Sequence, residues 1–255
     1  MRTSKVNAWY GWVPDQPDYR DKLYSAIAAP PKKLPSKVDL RAGCSRVENQ
    51  GQLGSCTANA LVGNMEFLQR KAGHRVTNLS RLFIYYNERV MEGSVNEDAG
   101  GMIRDGIKSV ATQGVCPETE WPYDINKFAD RPPQKCYDDA EKTTAQSYSR
   151  VARTLNQMKG CLSSGYPFVF GFSVYDSFES ETVTKTGIVP MPSPQDALIG
   201  GHAVLAVGYD DSQNIFIVRN SWGPKWGMKG YFTMPYAYLL DENLSDDFWT
   251  IRIVS

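Results

Sequence analysis

A chain of 255 residues with 42% apolar and 12% aromatic side chains can bury a sizeable core, which excludes a disordered or purely linking role. Its 28 basic side chains balance 28 acidic ones, so no basic excess marks a nucleic-acid or membrane-surface partner. There is no run of some 18 apolar residues, which excludes a membrane-spanning helix.

Residues 1–33 mix aromatics (Trp9, Tyr10, Trp12, Tyr19, Tyr24) with prolines and have little periodicity. They read as an extended arm that ends in a Pro-Pro-Lys-Lys linker. The first sixteen residues lack the apolar stretch of a secretory signal, which leaves the compartment open, a secreted or periplasmic one included. From Ser55 the pattern turns helical: Ala58, Leu61, Val62, Met65 and Leu68 follow the three-four spacing, and Gly73 supplies a stop. A second helix follows in "NLSRLFIYYNERVM", with Ser80 as its cap. A third lies in "GGMIRDGIKSVATQG", closed by Gly114, and a fourth spans about Thr154–Ser164. Then the character changes to strands: "PFVFGFSV", "HAVLAVGYD", "NIFIVRN", "GYFTMP" and "FWTIRIVS". Helices first and strands later give an α+β chain, with a helical half at about 45–145 and a β half at about 146–255. A groove between two such halves is where a site is expected. The acidic cluster at Asp241–Asp247 reads as a solvated turn.

Cys56 opens the strongest helix. Unpaired N–H groups at a helix start favour the thiolate, which is the nucleophilic form of cysteine. A cysteine nucleophile needs a base and a group to orient that base. Of the two histidines, His202 heads an apolar strand, whereas His74 beside Gly73 and Arg75 reads as a surface residue. Two histidines also argue against a His-rich zinc site, so neither metal nor cofactor is expected. Asn220 ends a strand that could lie beside that of His202 and accept its imidazole N–H. Gln50, six residues before Cys56, could join the Cys56 N–H as an oxyanion donor. Singly, each has a plainer reading: a core cysteine, a turn asparagine.

Together, Gln50-Gly-Gln-Leu-Gly-Ser-Cys56, Gly201-His202-Ala203-Val204 and Asn220-Ser221-Trp222-Gly223 resemble the three signatures of the papain-like cysteine peptidases. "LPSKVDLRAG" at Leu34–Gly43 is similar to the mature start of those enzymes, and the resemblance runs over residues 34–255. It implies a two-subdomain fold, a helical left half and an antiparallel β-barrel-like right half, with the cleft between them. It also implies peptide-bond hydrolysis through a Cys56 thioester, with Cys56 and His202 as an ion pair. Gly100 and Gly101 would bind substrate backbone; Gly201, Met102 and Ala203 would line subsites; and Trp222 would shield the Asn220–His202 hydrogen bond. The partners implied are a peptide or protein substrate, met by a monomer, and the chain's own residues 1–33, a short pro-segment crossing the cleft and removed near "APPKKLPS". A surface arm is the competing reading.

Three departures stand out. Leu53 replaces a family disulfide cysteine. Thr57 replaces an aromatic, which would leave the cleft wall more open. Cys136 lacks its usual partner, leaving either a Cys116–Cys136 pair or free buried thiols among Cys44, Cys116, Cys136 and Cys161. Two other functions remain open on the same fold, an acyl or amide transferase and a non-catalytic binding protein.

Overall fold

The computed structural model describes residues 10–26, 33–74 and 76–254. Helix α1 (Cys56–Lys71) begins at the cysteine and ends just before Gly73, whose φ of 77° lets the chain turn away. α2 (Arg81–Glu92) is capped as its sequence predicts, the Ser80 hydroxyl accepting the Phe83 N–H at 3.1 Å. α3 (Ile103–Thr112) and α5 (Leu155–Ser163) also fall where the pattern puts them, Thr154 capping the latter. The short helices α4 (Gln134–Ala140), α6 (Glu181–Thr186) and α7 (Tyr236–Leu240) carry too little periodicity to be read in advance.

Seven strands among the described residues form one sheet: β1 (Lys37–Asp39), β2 (Ala145–Arg150), β3 (Phe168–Tyr175), β4 (Leu198–Asp210), β5 (Ile215–Arg219), β6 (Tyr231–Pro235) and β7 (Ser245–Val254). The order is β2-β7-β3-β4-β5-β6, all pairs antiparallel, with β1 on the distal end of β4. The terminal strands β2 and β6 do not pair with each other. The expected barrel-like half is therefore an open sheet. Single bridges take the end strands instead, Leu23 on Arg150 and Ile188 on Thr233.

Strand alternation divides two cores. Ala203, Leu205 and Val207 of β4 point into the cluster beneath α1, α2 and α3, whereas Val204 and Ala206 point into an aromatic cluster with Phe168, Phe170, Phe172, Phe216 and Phe232. Burying each such ring contributes about 1.5–3 kcal/mol. Wedged between the sheet and α2 and α3, α1 is buried on every side from Cys56 to Gln69. Its apolar stripe thus understates its burial, because Thr57, Asn59, Asn64, Glu66 and Gln69 are buried too. Asp247 corrects the solvated-turn reading: it is 1% exposed, held at φ 58° within β7.

Candidate active site

The start of α1 faces β4, the strand that carries His202. Cys56 is fully buried, and its Sγ accepts the Ala203 backbone N–H at 3.4 Å. Position 203 follows the histidine, so the thiol and the imidazole are set by adjoining residues of one strand. His202 Nε2 lies 2.8 Å from Asn220 Oδ1. That oxygen also accepts the Ser221 N–H at 2.8 Å, which fixes the orientation of the amide. An oxygen can only accept, so Nε2 carries the ring proton and Nδ1 presents a lone pair. Nδ1 is buried and has no hydrogen-bond partner. Trp222 stacks on the imidazole at 5.0 Å between ring centroids, and Phe172 meets it edge-on at 5.8 Å.

Gln50, also fully buried, is locked by its surroundings. Its Oε1 accepts the Ser221 hydroxyl at 2.5 Å, its Nε2 donates to the Leu53 carbonyl at 2.9 Å, and its N–H donates to the Ser221 carbonyl at 2.8 Å. Tyr123 donates to the Gln50 carbonyl at 2.9 Å. The loop before Cys56 and the loop after Asn220 are thus one hydrogen-bonded unit. Leu53, which stands in place of a family disulfide cysteine, contributes its carbonyl to that unit. Thr57 does not open a cleft wall: it is buried, and its hydroxyl donates to Glu88 Oε1 at 2.6 Å.

Residues 10–13 fill the groove beside this cluster. The Gly101 N–H donates to the Gly11 carbonyl at 2.7 Å, the Val13 N–H to the Gly101 carbonyl at 3.1 Å, and the Trp12 N–H to the Gly201 carbonyl at 3.0 Å. The approach is close enough to require glycine. A Cβ on Gly11 would lie 1.8 Å from the Gly54 carbonyl oxygen, and one on Gly100 (φ 76°) 2.1 Å from the Gly11 carbonyl oxygen. The Trp12 indole lies in a slot against Gly171 and Gly201, where added Cβ atoms would sit 2.0 and 2.9 Å from it. Its Nε1 donates to Asp247 Oδ2 at 3.1 Å. Tyr10 lies edge-on to His202 at 6.1 Å and donates to Glu179.

Further along the arm, Asp15 receives the Trp249 indole N–H at 2.8 Å and the Arg104 N–H at 3.0 Å, and its own N–H donates to Asp247. Asp21 pairs with Arg104 at 2.7 Å. Tyr24 is fully buried, while Tyr19 is 98% exposed. Residues 10–13 thus lie in the cleft, whereas most of residues 14–25 are exposed and run along the outside of the domain. Trp9 and residues 29–32, the first half of the expected cleavage stretch at 29–36, lie outside the described residues.

Exclusion of water by the arm changes the electrostatics. Burial pushes the Cys56 thiol up to about 12 and the His202 imidazole down to about 4. Both shifts favour the uncharged thiol and imidazole while the pair is covered, opposite in direction to the ion pair that the resemblance implies. Desolvation outweighs the helix N-terminus here.

The remaining expectations fall as follows. Met102 caps α3, its N–H donating to Glu92 Oε1 at 2.7 Å. The Ala203 methyl packs into the helical core while its N–H reaches the thiol. His74 is exposed. All five cysteines are buried free thiols. Gly171 and Asp247 were missed. A glycine inside an otherwise apolar strand was the available signal for the first; the second had none.

The cysteine at a helix start, an asparagine-held histidine on a facing strand and a cleft between unlike halves define a thiol hydrolase. Residues 34–240 match the family model described as papain family cysteine protease. An uncharacterized peptidase C1-like protein of Acanthamoeba polyphaga mimivirus is 43% identical over 281 residues, covering all of this chain and 90% of that one. Xylellain, a cysteine protease from Xylella fastidiosa, is 44% identical in its crystal structure, with a TM-score of 0.91 over the whole of both chains. A digestive procathepsin L 3 of Tenebrio molitor, at 22% identity and TM-score 0.69 over 95% of this chain and 76% of that one, shares the fold. The chain belongs to the papain family of cysteine proteases, and it is a cysteine peptidase.

Proposed function

We propose that Cys56 is the nucleophile, His202 its base and acid, Asn220 the group that orients the imidazole, and Gln50 with the Cys56 N–H the oxyanion donors. The observation that carries this reading is the ring tautomer, with Nε2–H held by Asn220 and a bare, buried Nδ1 on the residue next to the thiol's N–H partner. Once water reaches the cleft, Nδ1 takes the thiol proton and the thiolate attacks the peptide carbonyl. The imidazolium then protonates the leaving amine, and the thioester is hydrolysed by water that His202 activates. Gly101 and Gly201 hold substrate backbone as they now hold residues 11–13, Gly100 leaves room for its close approach, and the Trp12 slot takes a substrate side chain. Trp222 keeps water from the Asn220–His202 bond. Residues 1–33 act as an intramolecular inhibitor, removed to give the mature enzyme.

Gln50→Ala is expected to lower kcat by roughly 10²-fold, with a smaller change in KM, because an oxyanion donor acts in the transition state. Steady-state kinetics on the arm-free enzyme test this, and unchanged kcat refutes the donor role. Product analysis on a peptide library, with and without added amines, separates hydrolysis from acyl transfer.

A further inference from the structure

The chain carries a second cluster of soft and anionic side chains, remote from Cys56 in sequence and unused by the mechanism above. Cys116 lies just after α3, Cys136 in the first turn of α4, and Glu120 in the loop between them. The two sulfurs and a Glu120 carboxylate oxygen all lie within 4.8 Å of one another. Both cysteines are almost fully buried and unbridged, and Glu120 Oε2 is buried without a hydrogen-bond partner. We infer that Cys116, Cys136 and Glu120 form a binding site for a borderline-soft divalent cation, Zn²⁺ in particular.

The chemistry fits at three points. Thiolates select Zn²⁺ over Mg²⁺ or Ca²⁺, which prefer all-oxygen sites. Tetrahedral zinc, with sulfur at about 2.3 Å and oxygen at about 2.0–2.2 Å, holds its ligand atoms about 3.5–3.8 Å apart, so a contraction of at most about 1.3 Å completes the site. Charge also balances. On coordination each thiol loses its proton to solvent, and two thiolates with one carboxylate leave a single negative charge around the ion. Lys135 bonds Glu120 and Asp139, and Lys142 bonds Asp139, so the surroundings offset it. Water fills the fourth position on the side where Glu120 reaches the surface.

The bound ion would tie α4 to the loop that supports the active site. The Cys116 carbonyl accepts the Ser80 N–H at 2.9 Å, and Glu118 binds Arg81 and the Tyr123 N–H, each at 3.0 Å. Tyr123 in turn holds Gln50. Cys116 and Cys136 stand 20 residues apart, with no close-spaced cysteine pair or histidine cluster to mark them in the sequence.

The test uses the full chain with Cys56→Ala, which removes the nucleophilic thiol as a competing ligand. Metal-free reduced protein titrated with Co²⁺ is expected to show a thiolate-to-cobalt charge-transfer band saturating at one equivalent, and Zn²⁺ is expected to abolish it. Zn²⁺ at about 100 times its Kd is expected to raise the Tm by about 5 °C. Cys116→Ser and Cys136→Ser remove the band and the shift. Glu120→Gln, near-isosteric and partly exposed, keeps the fold and weakens Zn²⁺ binding by more than the roughly 10-fold typical of losing an outer partner. A band that survives both serine variants, or no band at all, overturns the site. So does a Cys116–Cys136 disulfide in protein purified without reductant that leaves no metal-binding thiols.

Discussion

Cys56→Ala abolishes peptide hydrolysis, lowering it by about 10⁴-fold or more, while the protein stays folded. Loss of a covalent nucleophile removes the thioester route altogether, and what is left is whatever the oxyanion donors and binding supply. The fold tolerates the change because the Sγ contact with the Ala203 N–H is a long one, at 3.4 Å. Removing one buried sulfur costs on the order of 1 kcal/mol, a Tm shift of only a few degrees. Cys56→Ser is expected to be as inactive, since a hydroxyl held by the same imidazole ionises far less readily than a thiol. The matching chemical result is one labelled thiol, Cys56, when arm-free enzyme meets an epoxysuccinyl peptide, because Cys44, Cys116, Cys136 and Cys161 are buried. Ordinary turnover by folded Cys56→Ala would end the nucleophile assignment.

Deleting residues 1–33 speeds that labelling by about 10²-fold. The arm is fixed by charge-assisted contacts: Asp247 receives the Trp12 indole and the Asp15 N–H, Asp15 receives Trp249 and Arg104, and Asp21 pairs with Arg104. A net docking energy of about 3 kcal/mol from such bonds leaves the cleft open about 1% of the time. Burial pushes the covered Cys56 thiol well above its ordinary value, so little thiolate is present to react in that state. Truncation rehydrates both groups, the thiol pKa falling and the imidazole pKa rising. The labelling rate of the truncated enzyme then reaches its plateau at a lower pH than that of the full chain. Equal rates for the two forms across pH 5–9, with both folded, would show that the arm does not block the cleft.

The site was legible in the sequence to the extent that its chemistry resides in side-chain identity and local spacing. Cys56 opens α1 and Asn220 follows β5, boundaries that periodicity locates, while Gln50 in its loop and His202 inside β4 were found by residue type and motif; Ser80, Gly73 and Thr154 punctuate the helices as their side chains dictate. Strand alternation in "HAVLAVGYD" likewise anticipates a strand packed on both faces. The short helices escaped because five to seven residues hold less than two helical turns, and β1 because three residues hold less than two strand repeats. The departures at Leu53 and Thr57 could be seen but not interpreted, since what each residue touches is a long-range matter.

The sequence by itself determined which groups could do the chemistry and which long segments would be helix or strand. Both follow from residue type and nearest-neighbour sterics. Only the tertiary structure decided that residues 10–13 occupy the cleft, that Asp247 is buried beneath Trp12, that the sheet stays open, and that Cys116, Glu120 and Cys136 converge. Each of these joins residues distant in the chain or depends on which buried carboxylate finds a donor. Such pairings are set by the packing of the whole chain, and no local pattern carries them.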